Sequence, residues 1–328
     1  MANNNFKPFA AAGGANVMAQ ADYEALAALL TGFQSGTAQS AQLNKVWRQS
    51  SIMAAVLAQF IVDLTGQDAI DDGTTATLLA NLKMAVQAQS AAVVGQARNL
   101  TMSVTAASST ATLNADEIIV GSSLGGQKYL LKQFSKTINL AAAGAGGMDT
   151  GTAPASGYVA LYAIYNPVTG ASALLATDAT PARVPEVYGG ANMPSGFTAS
   201  ALVSVWPTDG SRRFIMGYQR DRRIAFADIL IISTTSVVST PTSLSIASAV
   251  PKNANRVRFH SNIISSTSQN VFLNVFSDVN QVGGWGGGVV TTNFGYVGEM
   301  MLATPQTVWY MTGTASATFQ LFCGGYEF

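Results

Sequence analysis

The stretch Leu43–Leu64, LNKVWRQSSIMAAVLAQFIVDL, constrains the fold more than any other part of the chain. Its apolar residues recur at alternating spacings of three and four, which places them along one side of an α-helix. The seam consists of Leu43, Val46, Ser50, Met53, Leu57, Phe60 and Leu64. Trp47, Ala54 and Ile61 each follow a seam position by four residues and widen the stripe. Two partners fit such a stripe: other helices of the same chain, or the same helix in sister chains.

The charge content limits the kinds of surface that the protein can have. Charged residues make up only 10% of the 328 residues, although 48% are hydrophobic, whereas ordinary soluble domains carry about 25% charged residues. This indicates surface buried between subunits, or an uncharged polar surface of the kind found on extracellular and virion proteins. Seventeen basic residues balance seventeen acidic ones, which argues against nucleic-acid binding.

Cys323 and His260 are the only cysteine and the only histidine. An intrachain disulfide is therefore excluded, as is a Cys/His zinc site within the chain. A catalytic triad would have to use His260, and a Cys–His nucleophile would have to use this one pair. We expect no catalytic residue, no metal ligand and no cofactor, and hence a protein that is not an enzyme. The N-terminal sequence also lacks the pattern of a signal peptide.

Helical patterns are confined to the N-terminal third. Residues 1–18 are rich in Asn, Ala and Gly and predict an extended arm, in which Phe6 and Phe9 are either anchors for a partner or part of a frayed terminus. A short helix is expected from about residue 21 to 30, and the long helix is expected to end at Gly66. A third helix, capped by Thr74 or Thr75, is expected to reach about residue 94. Residues 19–95 thus predict a compact three-helix unit, for which the resemblance described below implies attachment and trimerisation.

From Gly95 onward the hydrophobic period changes to two. Leu100, Met102 and Val104 alternate with polar residues, which is typical of a half-buried strand. Further strand patterns follow, separated by clusters of Gly, Pro, Asn and Asp, as in antiparallel sandwiches. We predict a middle β domain over 96–232, a Ser/Thr-rich linker over 233–250 and a distal β domain over 251–328. The expected fold is multidomain α+β, in which the three-helix unit precedes two mainly antiparallel, sandwich-like β domains.

Two groups of residues are candidates for binding. Trp285, Tyr296, Trp309 and Tyr310 lie among Asn, Gln, Ser and Thr residues. Aromatic faces stack on sugars while neutral amides bind hydroxyls, so this group predicts a receptor site. The alternative is that these aromatic residues pack in the core of a β-sandwich. Trp285 is expected on an exposed loop, GGWGGG. The second group, arginines within 212–223, either meets phosphate groups of a polysaccharide, forms a charged hairpin on the solvent face, or makes a salt-bridged subunit contact.

Several segments resemble tail fibre proteins of tailed bacteriophages. AGGANVMAQADYEAL, the long helix with its NKVWRQ motif, and AIDDGTTATLLANLKMAV resemble the helical head of such fibres. FSKTINLAAAGAGGMDTGT, YVALYAIYNP and ATPARVPEVYGG are similar to a fibre β domain. The resemblance covers roughly residues 6–230. The chain is short for a fibre, and it lacks long heptad or collagen-like shaft segments.

This resemblance implies a homotrimer in the virion tail. Its N-terminal part would attach to tail or baseplate proteins, and its C-terminal part would bind a glycan or outer-membrane protein of the host. Residues expected to serve attachment and assembly are Phe6, Phe9, Asn44, Lys45, Trp47, Arg48 and Gln49. One alternative is an architectural tail or baseplate subunit without a receptor site. A polysaccharide-degrading tailspike is another, but the sequence has neither a regular parallel-helix repeat nor a carboxylate cluster.

Overall fold

The computed structural model describes residues 2–36, 39–88, 92–265, 271–289, 293–313 and 317–328. The chain forms two compact units, Met1–Ala91 and Ala92–Phe328. The first is helical, and the second consists mainly of antiparallel β-strands. Helices followed by antiparallel β-structure were predicted, and the structure confirms the fold class at this level.

The first unit has four helical segments among the described residues: α1 Gln20–Glu24, α2 Ala28–Thr31, α3 Ser40–Thr65 and α4 Ala76–Ala88. The long helix is confirmed, and it ends at Gly66, whose φ of 66° is a left-handed conformation that glycine adopts readily. The single helix expected over residues 21–30 is instead two short helices. Neither has a side-chain hydrogen bond at its N-cap, so little stabilises a longer segment at this point.

The N-terminal arm lies along α3. The Asn4 amide donates hydrogen bonds to the Ala55 carbonyl and to Gln59 Oε1, each at 3.2 Å. The Phe9 N–H donates to Ser51 Oγ at 2.7 Å. Elsewhere on α3, Ala58 and Ile61 are buried, in a helix that packs against α4. The extended arm predicted from composition is therefore held by hydrogen bonds to its own long helix.

Sixteen strands form two antiparallel sheets in the described part of the second unit. Their bounds are β1 Ala97–Arg98, β2 Thr101–Val104, β3 Thr110–Gly121, β4 Lys128–Asn139, β5 Tyr158–Tyr165, β6 Ser172–Asp178, β7 Ala199–Pro207, β8 Gly217–Arg220, β9 Arg223–Thr234, β10 Val238–Ser245, β11 Arg256–Ser265, β12 Val271–Phe276, β13 Trp285–Val289, β14 Asn293–Met301, β15 Thr307–Gly313 and β16 Ala317–Glu327. The larger sheet has the order β14-β11-β16-β9-β8-β2-β3-β7-β5-β6, with β1 and β4 also paired to β3. The smaller sheet has the order β10-β15-β12-β13.

The core is densest around β5 and β7, which are buried along almost their whole length. Strands covered on both faces carry apolar residues without alternation, as YVALYAIY does. At the other end of the large sheet, β11 and β16 bury every second residue over most of their length. The smaller sheet packs there, and Phe259 meets Trp285 with ring centroids 6.4 Å apart. That end is therefore a two-layer sandwich.

One sheet joins the segments predicted as middle and distal domains. β9 pairs with β16 from Arg223↔Glu327 to Thr234↔Phe319, and residues 92–328 form a single compact unit. The stretch 233–250, predicted as a linker, instead contributes the strand β10. β10 is an edge strand, and Pro241 is tolerated there because an edge strand leaves some N–H groups without a ladder partner. Sequence composition alone does not distinguish such a strand from a linker.

Candidate functional site

Two rows of side chains cross six strands on one exposed face of the large sheet. In antiparallel pairing, residues directly opposite each other point to the same face. The first row is Ser103, Tyr218, Ala225, Gly325, Arg258 and Glu299. The second row is Thr101, Arg220, Arg223, Glu327, Arg256 and Met301. We call the surface formed by these twelve residues the arginine groove.

The residues between the two rows lie on the opposite face of the sheet. They are Met102, Gln219, Ile224, Tyr326, Val257 and Met300, and all six are buried. This alternation fixes the orientation of both rows, because one face of these strands is committed to the core. The groove side chains are therefore directed to solvent by the same pattern that builds the core.

Small residues form the floor of the groove. Ala225 and Gly325 lie between Tyr218 and Arg258 in the first row, and Gly217 and Gly324 border them. A Cβ atom added to Gly325 would lie 2.5 Å from the Ile224 carbonyl oxygen, closer than packed atoms allow. The resulting depressions have volumes of about 580 Å³ beside His260 and about 230 Å³ between the arginines.

Ion pairs hold part of the groove in place. The Arg223 guanidinium contacts Glu299 and Glu327, each at 3.1 Å, and Arg256 lies 3.5 Å from Glu327. These hydrogen bonds and charges, that from Glu327 foremost, raise the pKa of Arg223 above its ordinary value. Glu299 of β14 is thus paired. Among the residues that the structure describes, neither Arg220 nor Arg258 forms an ion pair.

Tyr218 lies at the centre of the groove, and His260 lies at its border. Tyr218 is 64% exposed at the centre of the face, where it lines both of these depressions. His260 Nδ1 lies 3.1 Å from Asp228 Oδ2, and its ring stacks on Phe322 with a centroid distance of 5.6 Å. The groove thus combines an exposed aromatic face with two guanidinium groups that form no ion pair with any residue that the structure describes.

The four aromatic residues predicted as a receptor site do not form one exposed surface. Trp285 and Tyr296 are brought together, with ring centroids 5.0 Å apart. Tyr310 is buried and lies in the same cross-strand row as Val275 and Trp285, on the side of the smaller sheet that packs in the sandwich. Trp309, the residue before Tyr310 in β15, points to the opposite face.

The predicted exposed loop around Trp285 is instead the strand β13, and Trp285 is half-buried. Its glycines permit a close approach to β12: a Cβ on Gly286 would lie 2.6 Å from the Leu273 carbonyl oxygen. The indole covers Gly298, where an added Cβ would overlap Nε1. The glycines that indicated a loop therefore serve close packing between strands and beneath the indole.

The arginines within 212–223 are divided among different parts of the structure. Arg213 pairs with Asp209 at 2.8 Å, and Arg222 pairs with Glu186. Arg212 donates to Thr152 Oγ1 at 3.1 Å. Arg220 and Arg223 line the groove. Tyr218, Arg256 and Arg258 were not among the predicted binding residues. The spacing of two between Tyr218 and Arg220, and between Arg256 and Arg258, was a signal that each pair shares a face.

The residues predicted for attachment lie on the first unit. Phe9 packs edge-on against Trp47 with ring centroids 5.7 Å apart. Asn44 donates a 2.7 Å hydrogen bond to the Asn16 carbonyl, and Lys45 Nζ lies 5.8 Å from the centre of the Tyr23 ring. Phe6 and Arg48 are half-buried and Gln49 is exposed. Asn44, Lys45, Trp47 and Phe9 thus make contacts within their own chain.

No family model matches the chain, and no curated protein does so either. Within the described ranges, no three or more His, Cys, Asp or Glu side chains group closely enough to hold a metal ion. None of the described helices has the length and apolar character needed to cross a membrane.

Proposed function

We propose that the protein is a non-enzymatic structural component of a bacteriophage tail, a homotrimeric tail fibre. Its helical unit attaches to tail or baseplate proteins and joins three chains, and its β unit binds a glycan or protein on the host surface. The resemblance of roughly residues 6–230 to tail fibre proteins supports this proposal. The sparse charge of the chain supports it too, since subunit contacts would remove apolar surface from water.

The exposed seam of α3 is the observation that carries the proposal. Met53 is 60% exposed and Leu57 48% exposed in the single chain. On the same helix, Ala58 and Ile61 are buried, and α3 packs against α4. The helix therefore uses one part of its stripe within the chain and leaves another without cover. Exposed apolar stripes at coiled-coil spacing are typical of helices that associate with copies of themselves.

Sedimentation of the full chain tests the trimer. We expect a mass three times that of the 34.0 kDa chain at micromolar concentration, and dissociation in a Met53→Lys/Leu57→Lys variant, because buried charges oppose association. The matched control is Gln67→Lys/Thr77→Lys, which adds the same charge at two exposed positions outside the seam. A folded wild-type monomer would contradict the trimer proposal.

Binding of the purified full chain to a panel of Gram-negative cells tests receptor recognition. Saturable binding that follows host range is expected, with apparent affinity strengthened by three linked sites. No binding to any strain that the parent phage infects would favour the architectural tail or baseplate subunit. Shortening of the host polysaccharide, measured as release of reducing ends, would contradict the non-enzymatic assignment and favour a tailspike.

A further inference from the structure

From the chemistry of the arginine groove, we propose that it binds an acidic polysaccharide, one whose sugars carry carboxylate or phosphate groups. This proposal rests on the proposed function, because it names the class of host-surface molecule that the β unit recognises. It places the site across β2, β8, β9, β16, β11 and β14, away from the Trp285 region that sequence analysis favoured.

The unpaired arginines provide the recognition of negative charge. Arg220 and Arg258 are exposed, and neither has an acidic partner in the described part of the chain. Guanidinium groups bind carboxylate and phosphate through two parallel hydrogen bonds. By contrast, Arg223 and Arg256 are engaged by Glu299 and Glu327. We therefore assign ligand binding to Arg220 and Arg258, and maintenance of the groove to the paired arginines.

Tyr218 provides a platform for a sugar ring. It is flanked in its row by Ser103 and Ala225, so no bulky neighbour in that row covers its aromatic face. Sugars present C–H groups on one face of the ring, and such faces pack on exposed aromatic side chains. Because Gly325 leaves space between Tyr218 and Arg258, a chain resting on the tyrosine can extend toward the second unpaired arginine.

The dimensions of the groove fit a polymer better than a single small ion. Tyr218 and Arg258 are separated by three strand spacings, which is about 14 Å at roughly 4.8 Å each. The third depression, of about 510 Å³, adds Thr101, Thr112 and Asn114 beyond Arg220. These hydroxyl and amide groups can exchange hydrogen bonds with sugar hydroxyls. Neutral polar side chains thus lie beside the arginines, as expected for a site that binds a saccharide with acidic substituents.

The charge balance favours this ligand over a nucleic acid. The groove has four arginines against Glu299 and Glu327, and Asp228 at its border contacts His260. A groove for a phosphodiester backbone is usually uniformly basic, with several stacking aromatic side chains. Here carboxylates lie between the cations, and one tyrosine stands alone at the centre. Such a surface binds carboxylate or phosphate groups singly, at Arg220 and Arg258, and not along a continuous basic track.

Affinity measurements on the full chain test the assignment. The probes are polygalacturonate, its fully methyl-esterified form, and poly(glycerol phosphate). We expect saturable binding of at least one acidic polymer, weakened by added salt, and no binding of the neutral ester. Binding of polygalacturonate alone would assign a carboxylate ligand, and binding of the phosphate polymer alone would assign a phosphate ligand. Equally tight binding of oligothymidylate would overturn the proposal.

Substitutions then locate the site. Arg258→Gln and Arg220→Gln should each weaken binding about tenfold or more, since each removes a charge-assisted pair. Tyr218→Ala should weaken binding similarly, whereas Tyr218→Phe should retain it because the aromatic face is kept. Arg183→Gln, at an exposed arginine outside the groove, is the matched control and should bind as wild type. Unchanged affinity in all three groove variants would overturn the assignment.

The two proposals fail in different ways. If the full chain binds host cells saturably but neither acidic polymer, the groove assignment is wrong while the tail fibre proposal stands. If cell binding survives Arg220→Gln/Arg258→Gln, the receptor site lies elsewhere on the β unit, and the groove assignment is again wrong. Cell binding lost only in the groove variants supports both proposals.

Discussion

Cys323 should be almost inert toward alkylating reagents while the protein is folded. Its side chain is fully buried, and the thiol donates a weak hydrogen bond to the Gly325 carbonyl at 3.5 Å. Burial raises the pKa of the Cys323 thiol to about 12. Only the thiolate reacts with iodoacetamide, so the rate of labelling reports whether this end of β16 is packed as the structure shows.

The expected slowing follows from the fraction of thiolate. At pH 8, a pKa of about 12 instead of 9.0 reduces the thiolate fraction by about 1,000-fold. A thiolate of higher pKa is also the stronger nucleophile, which recovers roughly 16- to 32-fold. The net effect of ionisation is therefore a slowing of about 30- to 60-fold. Restricted access to a buried sulfur slows the reaction further.

Intact-mass measurement after timed iodoacetamide treatment checks this value. The reference is the same chain in denaturant, where the single cysteine is solvated. A Val168→Cys variant supplies an internal control, because Val168 is 91% exposed and the added thiol should react within the same molecule at the solvated rate. If native Cys323 reacts within about fivefold of the unfolded chain, the burial argument is refuted.

Two further outcomes follow from the packing of the β unit. Phe214→Ala should lower the free energy of unfolding by about 3–5 kcal/mol, because Phe214 is fully buried beside Trp206. Val168→Ala, at an exposed position, should change the free energy of unfolding by less than about 0.5 kcal/mol. Urea titration of both variants measures the two changes, and equal changes would contradict the assigned core. Stability should also decline above pH 9, since the unfolded chain ionises Cys323 near its ordinary pKa of 9.0 while the folded chain holds the proton up to about 12. The contribution of the protonated Cys323 thiol to the free energy of unfolding is complete below pH 9 and is lost toward pH 12, at roughly 1.4 kcal/mol per pH unit. The melting temperature of wild type should therefore fall more steeply with pH across this range than that of Cys323→Ala.

Local patterns in the sequence determined the elements whose limits depend on short-range physics. The spacing of apolar residues predicted α3, and Gly66 marked its end because glycine adopts the left-handed conformation without steric cost. The apolar run YVALYAIY is the strand β5, Tyr158–Tyr165. The helix expected over residues 21–30 was interrupted, since weak capping leaves such a short segment dependent on its tertiary surroundings.

Pairing between distant strands was beyond the reach of the sequence. Whether 233–250 is a linker or an edge strand depends on β15, some 70 residues away, and not on its own composition. Similarly, GGWGGG is a strand because its glycines allow close approach to β12. β-structure depends strongly on cross-strand neighbours and burial, which a single sequence does not reveal.

The arginine groove shows this division most clearly. Tyr218 and Arg220 share one face of a strand, as do Arg256 and Arg258, because side chains alternate along a strand; local sequence is enough to show this. Only the tertiary structure placed Ser103 in one row with Glu299, through β8, β9, β16 and β11. Register across these strands is fixed by burial of Met102, Ile224 and Tyr326 on the other face. Alternation along each strand directs these side chains to solvent, but only long-range strand pairing brings them together in one groove.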